Sequence, residues 1–192
     1  MKLTLSLVLM TLTLSACQPT KQPTQAVETN WQLVPAQSTL SFVSTKNKTF
    51  TEEHSLQFQA GQLSGQALEL VIDLNSVDTL IPIRDERMRN ILFKTEEFPT
   101  ATVTALVPKD VVHKQPVKLP FALDLHGHQQ TSEVEVIIEM INDQMVVVNY
   151  ESLLVNAKDY DLDDGINQLT KIAGLMSINY EVLVDFKLVF EK

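Results

Sequence analysis

The final stretch of the chain, SINYEVLVDFKLVFEK, places Ile178, Tyr180, Val182, Val184, Phe186, Leu188 and Phe190 on one parity. Asn179, Glu181, Asp185, Lys187 and Glu191 fall on the other. Side chains alternate across a strand with a period of two, so this stretch predicts a half-buried antiparallel strand. The same rhythm returns in Val117, Leu119, Phe121, Leu123 and Leu125, in Leu68, Leu70, Ile72 and Leu74, and in Val134, Val136, Ile138 and Met140. Residues 39–46, 54–63, 101–107 and 144–155 complete about eight strand candidates. There is no alternation of strand and helix patterns of the kind a parallel sheet needs, and no repeat. A sheet with one apolar face must cover it by closing on itself or by packing on a second sheet. Both a barrel and a sandwich satisfy the pattern.

Two segments break the rhythm. RDERMRNILF (84–93) spaces Met88, Ile91 and Leu92 as one face of a short helix after Pro82. KDYDLDDG (158–165) is a polar turn leading into a second short helix over INQLTKIA.

The first 30 residues read differently. Residues 1–16 carry Lys2 and then an apolar run ending in small residues, which is a secretory leader too short to span a bilayer. Cys17 is the only cysteine, so it has no partner for an internal disulfide, and nothing beside it would activate a thiol. Leu14, Ser15, Ala16 and Cys17 resemble the lipobox of bacterial lipoproteins, which implies cleavage before Cys17 and lipidation of its sulfur. Gln18 stands where an aspartate would resemble an inner-membrane retention signal, so the expected location is the outer membrane, facing the periplasm. Residues 17–30 then form a lipidated cysteine and a polar, glycine-free tether. Residues 31–192 form one domain. The net charge of -9 makes nucleic acid an improbable partner.

Motifs for chemistry are weak. Asp124, His126 and His128 sit at alternate positions of one strand, opposite Leu123 and Leu125. Two histidines at i and i+2 can share a metal, yet this face is expected to point to solvent and no third ligand has a recognisable spacing. Glu52 with Glu53, Glu96 with Glu97, and the 159–164 carboxylates read as solvated turns, and DLDDG lacks the ligand pattern of a calcium loop. No nucleophile elbow, phosphate loop or dinucleotide fingerprint is present. The expectation is a protein without catalytic residues, metal or cofactor.

Taken in order, IDLNSVDT (72–79), IRDERMR (83–89), LFKTEEFPTATV (92–103), LDLHG (123–127) and VDFKLVF (184–190), with Trp31 and PAQSTLSF (35–42), resemble the YceI-like family. Leu80 stands where that family usually has glycine, and His128 and Gln129 depart from its pattern. The resemblance implies an all-β fold, an extended eight-stranded antiparallel lipocalin-like barrel with one or two short helices. It also implies an apolar lumen holding a long-chain lipid such as a polyisoprenoid or a quinone tail. On the barrel wall Leu40, Phe42, Phe58, Ile72, Phe121, Leu123 and Phe186 are then the expected lumen residues, with Met88, Leu92 and Phe93 on the covering helix. Arg84 offers a planar fork matched to an anionic head group, though pairing with a loop carboxylate is the favoured reading. The implied protein is a periplasm-facing lipoprotein that carries, stores or protects a lipid and meets the membrane through its N-terminal anchor. A homodimer stays open. The alternative is a structural or interaction protein of the envelope whose barrel is filled by its own side chains.

Overall fold

The computed structural model describes residues 30–109 and 113–192. The leader, Cys17 and the tether up to residue 29 lie outside the described residues. Ten strands occur: β1 (Asn30–Leu33), β2 (Thr39–Lys46), β3 (Phe50–Ser64), β4 (Ala67–Asp78), β5 (Thr100–Leu106), β6 (Val117–Leu125), β7 (His128–Ile141), β8 (Gln144–Asn149), β9 (Leu153–Asn156) and β10 (Glu181–Glu191). Every pairing is antiparallel, and the pairing of β10 with both β2 and β8 closes the sheet into a ring. Eight strands give a barrel just wide enough for side chains or one slender guest.

Two staves of this barrel are broken, both beside β10. β1 and β2 are separated by a single 3-10 turn at Pro35–Gln37, and each pairs with its own part of β10. The stretch expected as one strand over 144–155 is likewise two: β8 pairs β10 at Lys187–Phe190 and β9 pairs it at Glu181–Val184, with Tyr150–Ser152 outside both. A sequence pattern hides such a break, because alternation reports facing and not pairing. Asn30, assigned to the tether, is the first residue of β1.

The inward set follows the alternation except where the backbone resets it. Of the two register shifts in the β3–β4 pairing, the one between Phe58 and Ala60 straddles Gln59, and the buried positions of β3 pass from Phe58 to Leu63, an odd interval. A bulge inserts one residue and exchanges the faces beyond it.

One end of the barrel holds Asn30, Lys192, the β3–β4 turn and the β7–β8 turn. It is filled by Trp31, Leu33, Leu63, Ile138, Met145 and Phe190, all buried. The opposite end is covered by helices. α1 (Pro82–Arg87) starts with proline at its first position and runs straight into a π-helical turn over Met88–Phe93, whose buried residues are Met88, Leu92 and Phe93. α2 (Asp163–Ile172) packs on that turn through Gly165. A Cβ on Gly165 would stand 2.9 Å from the Ile91 carbonyl oxygen and 3.0 Å from the Leu92 Cα, so only glycine permits this approach.

Candidate functional site

The barrel encloses a cavity of about 220 Å³. On β4 its lining runs from Leu68 to Leu74, which at strand rise is a length of about 20 Å. The cavity exceeds the ~150 Å³ that admits one benzene ring and falls below the ~300 Å³ of a compact drug-sized pocket. A long, narrow void of this kind fits a slender chain. Ser41 is the one lining residue with a polar side chain, and no ionisable residue touches the void. Leu92, Phe93, Leu162 and Ile166, from the π-turn and the segment around α2, close the helical end.

Of the residues singled out for the lumen, Leu40, Phe42, Phe58, Ile72, Leu92, Phe93, Phe121, Leu123 and Phe186 all border this cavity. Met88 does not. It is buried beneath the helical cover, packed into the surrounding core.

A polar cluster adjoins the lumen at the helical end. Residues directly opposite on paired strands face the same side. Phe42 pairs with His54, Ser44 with Glu52 and Lys46 with Phe50, so the parity that points Phe42 inward also carries Ser44, His54, Lys46 and Glu52. The Phe42 ring meets His54 edge-on with centroids 5.3 Å apart. His54 is 4% exposed, and its Nε2 lies 2.9 Å from the Ser44 hydroxyl. Burial, with the Arg84 and Lys46 cations close by, pushes its pKa down to about 4.

Arg84 is placed as a strap. It donates from Nη1 to Glu52 Oε2 at 2.8 Å and from Nη2 to the Thr79 carbonyl at 2.6 Å, while Lys46 pairs with the same Glu52. Asp85 accepts from the backbone N–H of Thr79 at 2.8 Å and from the Thr79 hydroxyl. These bonds fasten α1 to the β2–β3 hairpin and turn both terminal nitrogens of Arg84 onto partners within the protein. Its Nε is buried without a partner. The family resemblance singled out Arg84; the face parity of β2 and β3 was the signal that gathers its partner Glu52 with Lys46 and His54.

The histidines of LHGHQQ require a correction. His126 is not an exposed strand residue: it is 5% exposed and occupies the β6–β7 turn, where His126 and Gly127 have φ of 56° and 77°. Positive φ at both central residues is the signature of a two-residue hairpin turn matched to strand twist. The turn ends the alternation at Leu125. It drops the His126 ring onto Phe98, with centroids 4.3 Å apart, and brings Nδ1 within 3.2 Å of the Tyr160 carbonyl. Burial and then Lys94 lower its pKa. His128 lands opposite Leu125 and is exposed, so the two rings share no face. Among the described residues no group of three or more His, Cys, Asp or Glu is arranged to hold a metal ion.

The wall also has a cleft. β7 pairs β8 only from Val136 to Ile141, and β9 pairs only β10, so the N-terminal half of β7 has an unpaired edge facing β9. Between them lies a cleft of about 360 Å³, and Val134 and Leu153 border both this cleft and the lumen. Its ends are tied by Tyr150 N–H donating to the Glu135 carbonyl at 2.7 Å and by Gln130 Nε2 donating to the Asp159 carbonyl at 3.2 Å.

Comparison with known proteins follows from this geometry. A family model described as the YceI-like domain matches residues 31–190. A polyisoprenoid-binding domain from Saccharophagus degradans, implicated in plant cell wall breakdown, is 34% identical, with a TM-score of 0.78 over 84% of this chain and 97% of that one. BcnA of Burkholderia cenocepacia shares the fold at 17% identity, with a TM-score of 0.62 over 82% of this chain and 98% of that one. The Campylobacter jejuni YceI protein shares it at 13% identity and a TM-score of 0.52, over 78% and 84%. No curated protein sequence matches the chain.

Proposed function

The chain belongs to the YceI-like domain family, and we propose that it binds one long-chain apolar lipid, a polyisoprenoid or a quinone-like tail, inside the barrel without catalysing a reaction on it. The observation that carries this reading is the lumen: about 20 Å of apolar wall along β4 with no ionisable residue on it. A guest there gains about 0.8 kcal/mol per buried CH₂, so a long chain binds tightly with little help from a head group. The 34% identical relative is itself a polyisoprenoid-binding domain, which supports the same ligand class.

Adding bulk inside the lumen tests it. Leu123→Trp on β6 is expected to lower retention of a prenyl lipid, measured by organic extraction and mass spectrometry of the purified protein, while the ligand-free protein keeps its melting temperature. A wild type that purifies empty and takes up no added prenyl lipid, with a Leu123→Trp protein destabilised by the ~1 to 3 kcal/mol of an overpacked core, identifies a barrel filled by its own side chains.

The same proposal includes the anchor. A lone Cys17 after Leu14-Ser15-Ala16 supports a lipoprotein held at the outer membrane and facing the periplasm, which keeps a lipid carrier beside its supply. Changing Cys17 to Ser is expected to move the folded protein from the membrane to the soluble periplasmic fraction. Retention of that variant in salt-washed membranes rejects the anchor.

A further inference from the structure

The cleft between β7 and β9 is polar where the lumen behind it is apolar. Lys118, Ser132, Glu133, Glu135, Glu151 and Ser152 line it, while Val134 and Leu153 border cleft and lumen alike. Parting those two side chains breaks no strand pairing, because β7 pairs β8 only from Val136 onward and β9 pairs only β10. Val134 stands opposite Leu119, the first of the β6 residues on the lumen, whose lining then continues to Leu125. A chain passing between Val134 and Leu153 therefore enters near one end of the lumen and has about 20 Å of apolar wall along β6 ahead of it. Its tip lies under Leu92 and Phe93 of the helical cover. An amphiphile threaded in this way leaves its polar end in the cleft.

The charge of the cleft sets what that polar end can be. Three glutamates, Glu133, Glu135 and Glu151, face the single cation Lys118. On the adjoining stretches of β6 and β10 and in the turn after β9, exposed Asp124, Asp159, Glu181 and Asp185 outnumber exposed Lys158 and Lys187, so the surroundings do not offset the negative field. A phosphate brought there meets carboxylates of its own sign. A hydroxyl finds both kinds of partner, since the carboxylates and Ser132 accept and Lys118 donates. The cations at the helical end are already engaged: both terminal nitrogens of Arg84 are bonded within the protein, and Lys46 pairs with Glu52.

We infer that the β7–β9 cleft is the head-group seat of the guest, and that this head is uncharged and hydroxyl-bearing, as in a prenol or a quinol, rather than a phosphate. The inference rests on the lipid-binding reading above and adds to it where the guest enters, which way it points and which head it carries.

The test uses the full chain with Cys17→Ser, stripped of lipid, and geranylgeraniol carrying a photoreactive diazirine either beside its hydroxyl or at its tail tip. Mass spectrometry of the adducts is expected to place the head label on residues 132–135 and 151–154 and the tip label on Leu92 and Phe93. Unlabelled geranylgeraniol is expected to bind about fivefold or more tightly than geranylgeranyl phosphate. Exchanging Glu133, Glu135 and Glu151 together for glutamine is expected to narrow that gap. Head adducts on His54 or α1, with tip adducts in the cleft, would overturn the inference and leave lipid binding standing. Equal affinity for the alcohol and the phosphate, or a gap unchanged in the folded triple variant, would overturn the choice of head. The adducts are read on unaltered cleft residues, so the seat is tested even should the triple variant fail to fold. A protein that binds neither lipid and yields no adduct removes the lipid-binding reading and this inference with it.

Discussion

The two ends of this barrel are closed by different means. At the end where β1 enters, the closure is side-chain packing: Trp31, Leu33, Leu63 and Phe190 belong to the same alternating faces that build the wall. At the helical end the closure is a separate layer, held by Arg84 on Glu52, Asp85 on Thr79 and the glycine contact of α2. Packing distributes its stabilisation over many small contacts and tolerates no opening. The cover adds a few polar straps to the packing of Leu92, Phe93, Leu162 and Ile166, and because it is a layer separate from the strands it can loosen while the wall remains intact.

The largest effect is expected where packing alone does the closing. Phe190 is 1% exposed, and Phe190→Ala leaves a cavity whose cost lies at about 3–5 kcal/mol. Chemical denaturation should show the whole domain losing stability in a single transition. A loss confined to the helical end would contradict the division drawn between the two ends.

Next in size is a pH effect specific to the strapped end. His54 titrates near 4 when folded and near 6.5 when unfolded, so between these values the unfolded chain binds the extra proton. Stability therefore rises with pH across that window and is lost as pH falls from about 6.5 towards 4, with a slope of at most about 1.4 kcal/mol per unit from this group. His126, shifted the same way, adds to the slope. Denaturation midpoints measured across the window should flatten in His54→Gln; an unchanged slope would show that His54 ionises freely.

The smallest effect is the most local. Gly165→Ala forces α2 away from the Ile91 carbonyl, an overpacking cost of ~1 to 3 kcal/mol that outweighs the ~1 kcal/mol alanine gains in a helix. Release of a bound prenyl lipid should quicken more than global stability falls. Equal losses in both would mean that the cover and the wall are one cooperative unit.

These contrasts also explain what the sequence made legible. Period-two alternation reported which face of each strand turns inward, and the YceI-like resemblance supplied closure into a barrel, which alternation cannot distinguish from a sandwich. Nine of the ten side chains singled out for the lumen border the cavity for that reason. The failures lie where backbone geometry overrides the period. A two-residue turn turned His126 inward, and Tyr150–Ser152 broke one predicted strand into β8 and β9. Met88 shows a different limit: helical spacing marks a buried face without saying whether that face meets the void or its surroundings. The straps were hidden because Arg84 and Glu52 stand 32 residues apart, and the β3–β4 pairing that sets Asp78 opposite Ser55 is what brings the start of α1 beside Glu52.

The break between β8 and β9 carries one more consequence. A closed barrel has no free strand edge, but the unpaired half of β7 offers a row of backbone donors and acceptors that any extended chain could extend into a growing sheet. Glu133, Glu135 and Glu151 stand along that cleft with Lys118 as its one cation. Two copies meeting edge to edge would press acid against acid, so the charges that line the cleft act as a guard against aggregation where, among the described residues, the wall is left unzipped.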